Sequence, residues 1–350
     1  MKPVPADRID LLRTLLDEAC KVVIVTHTHP DGDAVGSSLG FMHFIREKYG
    51  KTVTVILPDP SQDCLEFIAG GNVLTASCNM VAAMDAIASC DLLICLDMNG
   101  FNRSGCLEEA LSAATARKVL VDHHLNPCSE LFDLVFSETE ISSASELLYW
   151  LLLALEGSAD ASCLPGKSSV ALLTGMTTDT NNFANSVFPS TLTMASSLLA
   201  AGVDRDMVIS ELYNKYRENR VRAQGYFLDK LLHITDDGVA YMIVTEDVRK
   251  SFDLRDGETE GFVNIPLGIG RVKLSFLLKE DKGYYRVSIR SKKGISANRL
   301  ASLHFNGGGH ENAAGGRLYF PKDIASRKDA AEYIETVTAR FLHDDAPVQK

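Results

Sequence analysis

The chain has 350 residues, 46% of them apolar, and 35 Lys and Arg against 46 Asp and Glu give a formal net charge of −11. That length accommodates two domains or one large one, and the acidic balance argues against general duplex-DNA binding. No apolar run approaches the roughly 18–20 residues of a membrane helix, the longest being 147–155, and the N-terminal segment lacks the apolar core and cleavage site of a signal peptide.

The first half alternates strand-like and helix-like patterns, which predicts βαβ units and a parallel sheet. An apolar β-branched strand at 22–26 ends in a segment carrying His27, Asp31 and Asp33, and a helix is expected from about Asp33 to 48. A strand follows at 52–57. A third, at 92–97, ends in Asp97, with Arg103 shortly beyond and a helix at 107–113. The fourth, at 118–122, ends in Asp122, His123 and His124. Helices are expected at 143–155, 169–177 (with Asp179 just after it), 190–201 and 218–233. Near residue 235 the character changes. Asp236-Asp237-Gly238 is a turn signal, followed by strands at 239–245, 271–278 and 284–291. A helix at 297–304, a Gly-rich loop, a strand at 317–320 and a terminal helix at 329–342 complete the pattern, with a disordered tail at 343–350. The expected organisation is a first domain over 1–215, a helical connector over 216–237 and a smaller α/β domain over 238–345. The eight cysteines all precede residue 164, without a CxxC pair or zinc-ligand spacing. They read as free thiols of a reducing cytoplasm.

Parallel strands bring their carboxyl ends to one sheet edge, so His27, Asp31, Asp33, Asp97, Asp122, His123 and His124 are expected to converge. Asp179 joins them on residue type rather than spacing. Carboxylates packed this closely repel and raise one another's pKa unless cations neutralise them. Two divalent ions sharing a bridging carboxylate satisfy that demand and suit phosphoryl displacement. Mixed oxygen and imidazole donors favour Mn2+, ahead of Mg2+, Co2+ or Zn2+. Taken singly, several of these residues have plainer explanations. An Asp after a strand is commonly a helix N-cap, His43 lies within a helix, and His29 fits a surface loop. Two adjacent histidines after a buried strand have no packing motive.

A second feature lies near the C-terminus. Between Arg271 and Arg299 stand nine Lys or Arg and two acidic residues, Glu280 and Asp281. The run fits a solvated strand face or an anion site. Gly307-Gly308-Gly309-His310 likewise fits a turn or a loop whose amides approach a phosphate.

The segments HTHPDGDAVGS, Asp97, Asp122-His123-His124 and TGMTTDT resemble, in order, the four motifs of the DHH phosphoesterase superfamily. Gly307–His310, followed by Ala313, Ala314 and Gly315, resembles its DHHA1 substrate-binding domain. The resemblance covers nearly the whole chain, and size and architecture are most similar to the bacterial nanoRNase and 3′-phosphoadenosine-5′-phosphate (pAp) phosphatase group. It implies that His27, Asp31 and Asp97 hold one metal and that Asp33, Asp97, His123 and Asp179 hold the second. It implies that His124 contacts the scissile phosphate or helps protonate the leaving oxygen, with Asp122 orienting a histidine. Arg103, Arg290, Ser291, Gly307, Gly308, Gly309 and His310 would bind substrate, the last six across an interdomain cleft. The implied substrates are short RNA or DNA oligonucleotides, linear dinucleotides such as pApA and pGpG, and pAp, cleaved by an exonuclease-like oligoribonuclease and pAp phosphatase. A homodimer is also implied. A family II inorganic pyrophosphatase, whose basic motif resembles residues 289–293, and a catalytically silent binder of short nucleotides stay open as alternatives.

Overall fold

The computed structural model describes residues 5–344. The chain forms two compact units that divide between Lys215 and Tyr216.

The first unit is built on six strands, β1 (Lys21–Val25), β2 (Thr52–Leu57), β3 (Val73–Thr75), β4 (Leu92–Leu96), β5 (Arg117–Asp122) and β6 (Leu134–Ser137). They form one sheet in the order β3-β2-β1-β4-β5-β6, with every pairing parallel. Among the described residues the α-helices that accompany them are α1 (Ala6–Glu18), α2 (Gly32–Tyr49), α3 (Glu66–Ala69), α4 (Met80–Ser89), α5 (Glu108–Ala113), α6 (Ala144–Glu156), α7 (Gly166–Asp179), α8 (Pro189–Ala200) and α9 (Arg205–Tyr213). The central strands KVVIV, LLICL and RKVLVD are buried almost throughout, as a sheet covered on both faces requires. Alternate residues serve opposite faces. Val22, Ile24, Ile94 and Val121 join the larger core with α2, α6 and α7, whereas Val23, Val25, Leu93 and Leu120 pack toward α4 and α5.

The second unit comprises α10 (Glu218–Tyr226), β7 (His233–Ile234), β8 (Val239–Val244), α11 (Glu246–Ser251), β9 (Leu274–Asp281), β10 (Tyr284–Ser291), α12 (Ala297–His304), β11 (Gly308–Gly309), β12 (Ala313–Tyr319) and α13 (Ala330–Asp344). Its sheet runs β11-β12-β10-β9-β8-β7 and is mixed, only β8 and β9 being parallel. One face packs on α12 and α13, the other on Ala223, Phe227, Phe262 and Val263.

The expected α/β class holds, with several local corrections. The helix predicted over 218–233 stops at Tyr226. A π-helical turn covers Phe227–Leu231, and His233 then pairs with Tyr241 and stacks on its ring, so sheet pairing takes over from helical periodicity. The segment expected as a connector contributes Ala223 and Phe227 to the second unit's own core. The strand predicted from Arg271 begins at Leu274, because Val272 donates back to Ile269 in a turn. The strand predicted at 317–320 starts at Ala313 and pairs with β10 along its length. Helices α1, α3, α4 and α11 and strands β3 and β6 had no prediction, and α9 lies in a stretch where no individual helix was delimited. Of the expected disordered tail, His343 and Asp344 end α13 and the remainder lies outside the described residues. No described helix is long and apolar enough to cross a membrane.

Helices α2 and α7 pack at glycine. A Cβ on Gly36 would stand 2.6 Å from the Ala171 carbonyl oxygen and 2.7 Å from the Gly175 nitrogen. Backbone cannot swing aside as a side chain can. Overpacking costs about 1–3 kcal/mol, against roughly 1 kcal/mol of helix propensity gained by replacing glycine with alanine. Gly36→Ala is therefore expected to lower stability by up to about 2 kcal/mol in chemical denaturation, although alanine is the better helix former. Unchanged or increased stability would contradict this packing.

Candidate metal centre

The sheet order reverses between β1 and β4, which lie side by side while their chain connections lead to opposite halves of the sheet. A crevice opens beyond the carboxyl ends of two such strands, and open α/β folds place ligands there. His27 and Asp97 stand just past those two ends, and His123 and His124 follow the next strand, β5.

Local structure fixes each donor. Asp31 is the N-cap of α2, its Oδ1 accepting the amides of Asp33 (3.0 Å) and Ala34 (3.1 Å). That cap starts the helix and places Asp33 in its first turn. Asp33 is buried, and its carboxylate accepts the backbone amides of Ala144 (2.7 Å) and Ser145 (2.9 Å) at the start of α6. His27 Nδ1 lies 2.8 Å from the Thr28 carbonyl oxygen. A carbonyl can only accept, so Nδ1 carries the proton and Nε2 is turned to the site. Asp97 takes a left-handed conformation, φ +56°, directly after β4, which costs on the order of 1 kcal/mol. Its amide donates to Val121 of β5 at 3.1 Å.

The side chains converge. His27 Nε2 is 3.4 Å from Asp97 Oδ2 and 4.0 Å from Asp31 Oδ1. His123 Nε2 is 3.5 Å from Asp97 Oδ1, 3.6 Å from Asp179 Oδ2 and 3.9 Å from Asp33 Oδ2. Donors about 2.1 Å from a shared cation stand roughly 3.0–3.5 Å apart, so both clusters are close to the spacing of a cage. His27, Asp31 and Asp97 form one donor group, and Asp33, Asp97 and His123 form another, Asp97 being common to both. Asp97 is only 2% exposed, and its Oδ1 is buried without a hydrogen-bond partner. An orphaned carboxylate oxygen is costly unless something cationic meets it. The donor set fits divalent cations.

Asp122 and His124 behave differently. Asp122 Oδ1 accepts from His124 Nδ1 at 2.7 Å, while its Oδ2 accepts the His124 backbone amide at 3.2 Å. A hydrogen bond that short occupies the space a cation would need, so the pair is an oriented imidazole rather than a ligand set. Arg103 is near enough for its charge to oppose protonation of His27, and its carbonyl accepts the Thr28 amide at 2.8 Å. His29 is exposed, its amide donating to Asp59.

The remaining candidates belong to the second unit. Arg290 pairs across the sheet with Ala313, and Gly308 with Gly315. Ser291 is buried, its hydroxyl donating to the Ile295 carbonyl and accepting from Asn312 Nδ2, so it holds a turn. Gly307 and Gly309 are demanded by packing. A Cβ would stand 1.9 Å from the Gly315 oxygen in the first case and 2.6 Å from the Ala313 oxygen in the second. Gly308 has no such backbone contact, and the His310 amide closes a tight turn onto the Ala313 oxygen. The amides of Ala144 and Ser145 that hold Asp33 had no functional reading in the sequence. The Ser143-x-x-Glu146 spacing marks where that helix starts, but not what its amides hold.

The electrostatics follow from burial and crowding. Burial, then the carboxylates of Asp97 and Asp179, push Asp33 well above the ordinary carboxylate range. Burial works against the charged form of Asp97, but the nearby imidazoles of His123 and His27 outweigh it and hold Asp97 well below that range. Burial likewise works against protonated His123 and is outweighed by Asp97, Asp179 and Asp33, which push it up to about 10. His27 is also raised, Asp97 and Asp31 overcoming its burial.

Residues 21–176 match the DHH family, N-terminal domain, and residues 236–336 match the DHHA1 domain. An exopolyphosphatase-related protein from Bacteroides fragilis has a crystal structure with which the chain shares 34% identity, 99% of each chain and a TM-score of 0.89. The bifunctional oligoribonuclease and PAP phosphatase NrnA of Bacillus subtilis is 27% identical over 85% of this chain and 89% of its own length. Its probable counterpart from Streptococcus mutans is 28% identical over 90% and 94%.

Because His123 is raised above its ordinary value of 6.5, the metal-free protein holds a proton there at neutral pH, and a cation must displace it. Metal affinity is therefore expected to rise with pH, about tenfold per unit for each proton released. Calorimetric Mn2+ titrations in buffers of different ionisation enthalpy measure the release. Affinity independent of pH between about 6 and 8 would contradict this account.

Proposed function

The chain belongs to the DHH family of hydrolytic phosphoesterases, and from that premise we propose that it is a two-metal enzyme for very short nucleotides. In this reading it cleaves short oligoribonucleotides and linear dinucleotides to nucleoside 5′-monophosphates and removes the 3′-phosphate of pAp. The observation that carries the reading is Asp97, whose two oxygens face two donor groups. The substrates follow from relatives named for both activities over most of their length.

His27, Asp31 and Asp97 would hold one cation, and Asp33, Asp97, His123 and Asp179 the other. When bound, such a pair lowers the pKa of water toward neutrality and neutralises charge on the phosphoryl oxygens. Mn2+ suits the mixed donors best, with Mg2+ or Co2+ as substitutes. Asp122 holds His124 by its Nδ1 and its backbone amide. The imidazole is thereby fixed, and its Nε2 is the atom suited to contact the scissile phosphate and to give a proton to the leaving oxygen. Arg103 supplies positive charge beside His27. In the second unit, the Arg290 guanidinium and the loop from Gly307 to His310 are assigned to the substrate's phosphate or terminal nucleotide. Gly307 and Gly309 let the loop adopt its path, and Ser291 braces the end of β10. Cysteines that remain thiols rather than disulfides support a cytoplasmic setting.

The test uses labelled pApA or pGpG, and pAp, with Mn2+ and EDTA controls. Metal-dependent release of mononucleotides and of phosphate is expected, and pyrophosphate hydrolysis much faster than either would favour the inorganic pyrophosphatase reading. Asp97→Ala is expected to lower kcat by more than about a hundredfold, beyond the loss from an orienting partner. Arg290→Ala should raise KM for pAp severalfold while kcat changes little, the signature of lost uniform binding. A fall in kcat alone would remove Arg290 from that role.

A further inference from the structure

Glu146 is fully buried on α6 and belongs to none of the donor groups around Asp97. Its Oε2 accepts the Ser142 amide (3.1 Å), the Ser142 hydroxyl and the Thr191 hydroxyl of α8 (2.7 Å), and Trp150 Nε1 donates to Oε1 at 3.4 Å. A buried carboxylate is seldom the most stable choice at a position, since a well-packed apolar side chain commonly does as well. Its partners show what it achieves.

All but one of these donors lie outside the helix interior. In an ordinary capping box the N3 glutamate accepts the amide of the N-cap residue. Here the N-cap is Ser143, whose oxygen accepts the Glu146 amide at 2.9 Å, while the Glu146 carboxylate reaches one residue further back, to Ser142. The turn is held from both sides. The next two amides, of Ala144 and Ser145, are left pointing outward from the helix start, and both are taken by Asp33. Room for this is tight. A Cβ on Gly175 would stand 2.1 Å from the Ser145 hydroxyl and 2.9 Å from Asp33 Oδ1.

We propose that Glu146 is a positioning residue for the second cation site, acting through the Ser142–Ser145 turn to fix the carboxylate of Asp33 toward His123. This rests on the two-cation reading above. The carboxylate of Asp33 is repelled by Asp97 and Asp179. Without a rigid pair of amides it has reason to rotate away, and a ligand free to rotate binds less tightly.

The experiment titrates the full-length protein with Mn2+ alone, without substrate. Wild type is expected to bind in two steps, one of which Asp33→Asn weakens. Glu146→Ala should weaken that same step at least about tenfold and leave the other nearly unchanged. Glu146→Gln should restore most of the affinity, because its amide oxygen can accept the three donors that meet Oε2, and only the long Trp150 contact is lost. Thr191→Val removes one donor only, should weaken the same step by less, and serves if Glu146→Ala does not fold. A lowered melting temperature with both steps unchanged would make Glu146 merely structural and overturn the proposal, as would equal weakening of both steps. Two steps in a protein that cleaves neither dinucleotide nor pAp would sink the substrate assignment and leave Glu146 in its role. A single step in wild type would sink the two-cation reading and this inference together.

Discussion

Four carboxylates, the buried Asp33 and Asp97, the half-buried Asp179 and the more exposed Asp31, are gathered around two imidazoles. Left to themselves such groups push one another toward neutrality. The metal-free protein manages the repulsion by distributing protons unevenly. Asp97 stays ionised between His27 and His123, while Asp33 is driven toward its neutral form. That arrangement is a compromise, and the orphaned oxygen of Asp97 marks where it fails. Divalent charge would resolve the conflict, and the rest of the first unit can be understood as a frame that prevents the carboxylates from escaping each other.

The frame works because of sheet order. A parallel sheet that reverses between β1 and β4 delivers two loops, from different halves of the fold, to one crevice. His27 and Asp31 come from one loop, Asp97 from the other, and the β5 end brings the histidines. Helix α2 begins inside the crevice, capped by Asp31 itself, so one side chain both starts a helix and faces His27. Helix α7 contributes Asp179 from its opposite end, and the glycine contacts that bring α7 against α2 set how close that carboxylate comes. Packing and chemistry are here the same constraint.

Much of this was legible in the sequence, for identifiable reasons. The central strands are continuous apolar runs and could be found within a residue or so. Their ends carry acids and histidines in a pattern that parallel topology alone brings together. What periodicity did not reveal were the elements whose burial is partial, such as the three-residue β3 and the alanine-rich α4. The stretch from Glu218 onward kept a helical pattern into residues that pair as a strand, because the competing partner, Tyr241, is remote in sequence. The amides that hold Asp33 were likewise out of reach. Backbone groups carry no sequence signature beyond the capping residues that start their helix.

The glycine triplet at residues 307–309 carries a lesson about reading such proteins. Two of its members sit where any side chain would collide with the opposing strand, whatever the loop binds. Among relatives, persistence of those two would report the closeness of two backbones as much as contact with a nucleotide. Only the middle position is released from that steric demand, so drift there, or its absence, is the informative signal for recognition.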